Sequence, residues 1–384
     1  SFGPDYIIPK PFDPRVLLYV APAVAEAAAA SGVAREPIAD LEAYREQLHA
    51  LVERARGLIT PLIRRARSHD PQRIAFPMGS DPTVLRAAQI LVDEQICHPV
   101  LVGDGARIQA VARDVNVDLS RIEIVEPGNS THLDDLARAL WEARQRKGVS
   151  RSGARESLLN PIVFASMMLK AGLADGMVGG PGRPYSATLR PALQVLGVAP
   201  GCQVASGVYA VLFRSNRVFL GDCTVNVNPD AETLAEIALN TARVAETFGV
   251  RPRVAMLSYS NFGEHREDAE VRKVIEATAL VRQRRPDLEV DGEMQADTAV
   301  DFETLTSNFD FSRLTGPANV LVFPSLTSGN IAYKLIEHLS TAEVLGPMLA
   351  GVGGPVNVVP INGDVNAVVN TATYTANQAL DTKS

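Results

Sequence analysis

Apolar and polar positions fall into a repeating rhythm from about Arg73 onward. Short runs rich in aliphatic and β-branched residues (RIAFP, HPVLVGD, RIEIVEP, GMVGG) alternate with longer runs of helical period (DPTVLRAAQILVDEQ, STHLDDLARALWEARQRKG, NPIVFASMMLKAG). Such alternation predicts parallel βαβ units with helices covering both faces of a sheet. Helix starts carry suitable caps, with Ser80 or Asp81 before Pro82 and Ser130 before the DDLARAL run.

The rhythm breaks twice. GVYAVLFRSNRVFLGD reads as two strands joined by Arg214-Ser215-Asn216-Arg217, an antiparallel hairpin inside an otherwise parallel pattern. The alternation then resumes through PDAETLAEIALNTARVAETFG, RVAMLSYS, LEVDGEM and NVLVFPSLTSGNIAYKLIEHL, so the chain is expected to form two α/β lobes with a cleft between them. The other break is at the start. A lead containing Pro4, Pro9, Pro11 and Pro14 and an alanine-rich helix precede DLEAYREQLHALVERARGLI, in which Leu41, Tyr44, Leu48, Leu51 and Val52 recur at helical spacing. This stretch reads as linker helices able to dock by one stripe.

Composition narrows the partners. With 46% apolar residues the chain can build ordinary cores, and with 21% charged residues and a net charge of -7 it lacks the broad basic face of a duplex nucleic-acid binder. Cys97, Cys202 and Cys223 are far apart, none forms CxxC, and the six histidines are scattered without HExxH. No disulfide framework or metal site is expected, and a reducing cytoplasm fits. The stretch VLLYVAPAVAEAAAASGVA is interrupted by Pro22 and Glu26 and falls short of the ~20 apolar residues a span needs, so no membrane partner is expected. The start, SFGPDYIIPKPFDPR, lacks both signal-peptide features and an initiator Met, and reads as a cut inside a longer protein.

Candidate chemistry gathers at strand-to-helix junctions. In NVLVFPSLTSGNIAYKLIEHL, Thr327 or Ser328 is expected to cap a helix whose free N–H groups and dipole favour an anion, with Lys334 in the second turn and Gly329 and Asn330 allowing close approach. A capped helix with a surface lysine is the plain alternative. In ADGMVGGPGRPYSATLRPALQVLG, glycines follow a buried strand and Arg183 and Arg190 lie in or past the loop. Neither GxGxxG nor a P-loop is present, so arginine recognition of phosphate stands beside a purely structural loop. Arg144, Arg146 and Lys147 end a helix, where basic residues suit the dipole without any ligand. Asp291, Glu293 and Asp297 cluster after a strand, with capping and hydrogen bonding favoured over acid–base work. The turn Pro360-Ile361-Asn362-Gly363 near the C-terminus holds no nucleophile, acid or base.

Taken together, LADGMVGGPGRPYSATLRPALQVLG, APGCQVASGVYAV, GDCTVNVNPDAETLAEIA, VDGEMQADTAV and NVLVFPSLTSGNIAYKL resemble the phosphate acetyltransferase and butyryltransferase family. The leading segment resembles the end of the catalytic region of large NADP-dependent bacterial malic enzymes, which continue into an acetyltransferase-like domain. The resemblance implies an isocitrate dehydrogenase-like α/β fold: residues 1–57 ending the malic enzyme region, lobe I at 58–203 plus 350–384, and lobe II at 204–349. Active acetyltransferases resemble one another at a final PVNDLSRG-like turn followed by an aspartate. Laid on PVNVVPINGDVNAVVN, the Ser, Arg and Asp fall on Pro360, Ile361 and Ala367, with Asp364 three positions early.

On that alignment the chain is expected to bind acetyl-CoA without catalysing transfer, through Arg144, Arg183, Arg190, Ser206, Thr327, Ser328, Asn330, Lys334 and Asn362. The implied role is allosteric inhibition of malate oxidation to pyruvate and CO2, with NADP and a Mg or Mn ion held by upstream malic enzyme domains. Self-association is expected as a dimer through lobe II and as a higher homo-oligomer in the full-length protein. An active acetyltransferase and a purely structural oligomerisation module are the rivals.

Overall fold

The computed structural model describes residues 16–38, 40–213 and 216–383; within the first long helix, the side chains at 46, 47 and 49–57 also lie outside the description. The proline-rich lead, the Leu51 and Val52 side chains and part of the Arg214–Arg217 turn therefore fall outside it. Contacts divide the chain into two units, Ser1–Thr60 and Pro61–Ser384. In the first, a π-helical turn Val16–Val20 runs into α1 (Ala21–Ala30), and α2 (Leu41–Arg67) begins there and crosses the division with Pro61 inside it.

The second unit opens with β1 (Arg73–Phe76), α3 (Pro82–Asp93), β2 (His98–Val102), α4 (Gly105–Asp114), β3 (Glu123–Val125), α5 (Leu133–Arg144), α6 (Arg151–Ser157), α7 (Pro161–Lys170), β4 (Gly176–Gly179) and α8 (Tyr185–Leu196). There follow β5 (Ser206–Leu212), β6 (Arg217–Gly221), α9 (Ala231–Thr247), β7 (Arg253–Leu257), α10 (Ala269–Arg284), β8 (Glu289–Met294), α11 (Ala296–Val300), α12 (Phe302–Asn308), β9 (Val320–Val322), α13 (Leu326–Leu339) and β10 (Glu343–Ala350). The chain then returns through β11 (Val356–Val358) and α14 (Val365–Lys383).

These strands build two sheets, one ordered β11-β4-β1-β2-β3 and the other β10-β5-β6-β9-β7-β8. Every pairing in the first is parallel, whereas β5 pairs antiparallel with both β6 and β10, and the rest of the second sheet is parallel. The expected α/β fold with mainly parallel sheets is what the chain adopts.

Why the first sheet is buried on both sides follows from the strand period of two. Ile74 and Phe76 pack with Val84, Leu85, Ile108 and Val368 on the α3, α4 and α14 side, while Ala75 faces Leu136, Phe164 and Met167 of α5 and α7. Asp81 accepts amide hydrogens from Thr83 and Val84 and caps α3, as the sequence suggests. Ser130 does not cap α5, because the helix starts only at Leu133; its hydroxyl accepts from the amide of His132 instead.

Burial also fixes the thiols. Cys97 and Cys223 are buried and Cys202 is half-buried, and desolvation pushes the Cys97 and Cys223 thiols well above their ordinary range. Thiolate, the reactive form, is thereby suppressed. A thiol-specific disulfide reagent is expected to titrate at most one cysteine in the native protein, Cys202, and three after denaturation; rapid native reaction of two or more would contradict this packing.

Candidate acyl-transfer cleft

In open parallel sheets, ligands settle beyond the carboxyl ends of strands where the chain order reverses. In the first sheet that point lies between β1 and β4, whose neighbour is β11. The loop after β4 runs from Gly180 to Pro184, and the turn after β11 runs from Val359 to Asp364. They are clipped together: the Gly182 amide donates to the Ile361 carbonyl at 3.0 Å, and the Gly363 amide closes the turn on the Pro360 carbonyl at 2.8 Å. Gly180 is required at its position, since φ is +73° and a Cβ there would meet the Val359 carbonyl oxygen at 2.4 Å.

The second sheet contributes the loop after β6 and the junction between β9 and α13. Asp222, at the end of β6, is almost completely buried and organises its loop. Its Oδ1 accepts amide hydrogens from Gly207, Thr224 and Val225, and its Oδ2 accepts from the Asn226 amide and side chain. Burial pushes the carboxyl upward in pKa, and these hydrogen bonds oppose the shift.

The first turn of α13 presses on this loop. The Asn330 side-chain amide donates to the Cys223 carbonyl at 3.2 Å, and a Cβ on Gly329 would come within 2.7 Å of the Asp222 carbonyl oxygen.

Tyr185, the first residue of α8, joins the two halves. Its ring packs into the same cluster as Val225 of the β6 loop. Its hydroxyl lies near Asp222 and Thr224, buried but without a partner of good geometry, as is the Thr224 hydroxyl. Burial first, and the Asp222 charge second, hold the Tyr185 hydroxyl well above its usual range. Tyr185 therefore packs the loop after β4 of the first sheet against the loop after β6 of the second.

The expected ligand residues divide within this frame. Arg183 and Asn362 are exposed on the two clipped loops, and Arg190 is exposed on α8. Thr327, Ser328 and Asn330 lie in the first turns of α13, but the helix starts earlier than expected: Ser325 is the cap, accepting the Ser328 amide, and exposed Lys334 falls in the third turn. Arg144, at the end of α5, spends one N–H on the Gln194 carbonyl of α8 at 3.0 Å.

Ser206, expected among the acetyl-CoA contacts, does not join them. It is fully buried within β5 and its hydroxyl accepts from the Asn240 side chain at 2.9 Å, so no ligand of the cleft can reach it.

Asp291 and Glu293 are buried structural acids. Asp291 takes hydrogen bonds from Ser312 and Arg313 and pairs with Arg282, and Glu293 takes them from Ser260 and Gly263. Among the described residues no group of three or more His, Cys, Asp or Glu is placed to hold a metal, and no helix is long and apolar enough to cross a membrane.

The phosphate acetyl/butaryl transferase model matches residues 58–376. The chain belongs to that family. It is 39% identical over 335 residues to the phosphate acetyltransferase of Acetivibrio thermocellus, covering 85% of this chain and 100% of that protein. It is 37% identical over 376 residues to the NADP-dependent malic enzyme of Escherichia coli, covering 96% of this chain and 49% of that protein. The crystal structure of a phosphotransacetylase from Streptococcus pyogenes superposes with a TM-score of 0.81 at 35% identity, over 85% of this chain and 99% of that one. The chain thus spans about half the length of the malic enzyme and of a longer phosphate acetyltransferase that it also matches.

These matches overturn the expectation that the chain is not itself an enzyme. Relatives and solved structures aligned over nearly their whole length are phosphate acetyltransferases. Pro360, Ile361 and Ala367 do stand in the turn and the first turn of α14, where the resemblance expects Ser, Arg and Asp.

Proposed function

We propose that this chain catalyses acyl transfer between coenzyme A and inorganic phosphate, with acetyl as the acyl group. The observation that carries the reading is the end-to-end match to phosphate acetyltransferases, set on a cleft where loops from two sheets meet. In this reaction the protein need not provide a nucleophile. A phosphate oxygen attacks the thioester carbonyl carbon, the C–S bond breaks, and the proton lost by hydrogen phosphate reaches the departing thiolate by way of the turn's carboxylate, giving acetyl phosphate and the CoA thiol.

What the protein must supply is position and charge. Holding two reactants in register supplies roughly 7–11 kcal/mol of the barrier in favourable cases. The exposed cations Arg183, Arg190 and Lys334 and the amide ends of α8 and α13 suit the oxyanions of phosphate and CoA. Asp364, whose Oδ1 accepts the Ala367 amide at 2.8 Å, is the carboxylate of the turn and is assigned the CoA thiol proton in the reverse direction.

If Arg190 and Lys334 bind these oxyanions, Arg190→Ala and Lys334→Ala should each raise KM for phosphate or CoA by about 10- to 100-fold, the loss of a charge-assisted hydrogen bond. Steady-state kinetics on both substrates check this; unchanged KM values in both variants would remove these residues from the site.

A second reading is favoured by the alignment with the E. coli malic enzyme, which extends over nearly the whole chain. In it, the chain is part of an NADP-dependent malic enzyme and acetyl-CoA bound in the same cleft regulates malate decarboxylation, with NADP and a divalent metal held upstream. Regulation would require acetyl-CoA to favour one conformation of the whole protein over another. Self-association through the second sheet's lobe belongs to either reading, supported by Ile331, Leu335 and Leu339, an exposed apolar stripe along α13.

A further inference from the structure

A cavity of about 540 Å³, lined by none of the residues assigned to acyl transfer, is bounded by elements of both sheets. Its back wall is the pair of chain segments that cross between the sheets. Val198 bridges Val352, the Ala199 amide donates to the Gly351 carbonyl at 2.9 Å, and the Gly353 amide donates to the Gly197 carbonyl at 3.0 Å. One side is a face of α9 carrying Asn240, Arg243 and Val244, and the other is a face of α14 carrying Tyr374, Gln378 and Asp381, whose carboxylate is already paired with Arg65 at 2.5 Å. The volume lies within the ~300–1,000 Å³ usual for small-molecule sites.

Its chemistry centres on Arg243. One guanidinium nitrogen donates to Asn240 Oδ1 at 2.7 Å. Asn240 is itself locked, its amide group donating to the Ser206 hydroxyl at 2.9 Å and the Val204 carbonyl at 3.3 Å. Behind them sits Glu236, 4% exposed, with the Cys202 thiol beside it and Oε1 without a hydrogen bond of good geometry, 3.9 Å from the Arg243 guanidinium.

A buried carboxylate oxygen without a good hydrogen bond is costly unless a neighbouring cation offsets it. Glu236 thus holds the guanidinium at the cavity wall and cancels part of its charge. The guanidinium's other N–H groups are left to face a ligand, while Val244, Val352 and Tyr374 offer apolar surface.

We infer that this cavity binds a small organic monoanion, a carboxylate or sulfonate on an apolar body, with Arg243 pairing the anionic group. Partial neutralisation by Glu236 disfavours polyanions such as CoA and selects a single negative charge. The site is separate from the transfer cleft, and its occupancy does not depend on the transferase reading.

The test uses 8-anilinonaphthalene-1-sulfonate, an aryl monoanion whose emission rises on binding, titrated into the full chain with and without saturating CoA. One saturable site is expected, unaffected by CoA, and weakened at least tenfold by Arg243→Gln and by the cavity-filling Ala199→Phe. Arg243→Lys, which keeps the charge, should recover part of the affinity. Circular dichroism and melting identify any variant that fails to fold, in which case the remaining variants decide. Absence of a saturable site, displacement of the probe by CoA, or affinity unchanged in both Ala199→Phe and the folded Arg243 variants would overturn the inference.

Discussion

Asp364→Asn is expected to lower kcat for acetyl phosphate plus CoA by roughly 100- to 10,000-fold, the usual contribution of a positioned base. Asparagine is chosen because it caps helices as well as aspartate does, so the hydrogen bond to the Ala367 amide at 2.8 Å and the start of α14 should survive. Activity and stability are thereby separated. Loss of kcat with an unchanged melting temperature assigns the carboxylate to proton transfer. Unchanged kcat reduces Asp364 to a cap and leaves the thiol to ionise without help from the turn.

Asp222→Ala should have the largest effect on the fold. Its two oxygens accept five N–H donors, from Gly207, Thr224, Val225 and Asn226. A stranded buried donor costs ~1–3 kcal/mol, and water entering the vacated space restores part of that, so a net loss of roughly 3–5 kcal/mol is expected. The β6 loop should then release Asn330 and the first turn of α13, and activity should fall with stability. Asp222→Asn should be intermediate, because one oxygen remains to accept while the new NH2 group opposes N–H donors of Asn226. Denaturant melts of the three proteins check the order; an Asp222→Ala variant within 1 kcal/mol of the parent would contradict the role given to this carboxylate.

Much of the frame is legible in the sequence. The βαβ alternation from Arg73, the hairpin at 207–222 and the strand-to-helix junctions at Gly179 and Val322 all reappear, because periodicity reports which face of an element is buried. What escaped depends on tertiary context. Ser325, Thr327 and Ser328 are all competent caps, and which one serves is decided by where β9 releases the chain. Ser206 looked available, although the unbroken apolar run SGVYAVL signals a strand covered on both faces, and β5 indeed lies between β10 and β6. Asp222 has no role in the sequence reading, although an acid ending an apolar strand and followed by Thr and Asn is a sign of a buried turn organiser.

The enzymatic reading stands in the sequence only as a rival, because the resemblance expects Ser, Arg and Asp where Pro360, Ile361 and Ala367 stand. Inspecting the turn Pro360-Ile361-Asn362-Gly363 for a nucleophile presumes that the protein must supply one, whereas phosphate attacks directly, and the carboxylate assigned the thiol proton, Asp364, is the next residue. A cleft that binds both substrates therefore retains a route to catalysis after substitution at the turn.

Release of free CoA thiol from acetyl-CoA by the purified chain, followed with and without inorganic phosphate, tests the central claim most directly. The account predicts turnover that saturates in phosphate, yields one acetyl phosphate per thiol and disappears when phosphate is omitted. Thiol release no faster than in protein-free buffer, from protein shown to be folded and at saturating concentrations of both substrates, would contradict it.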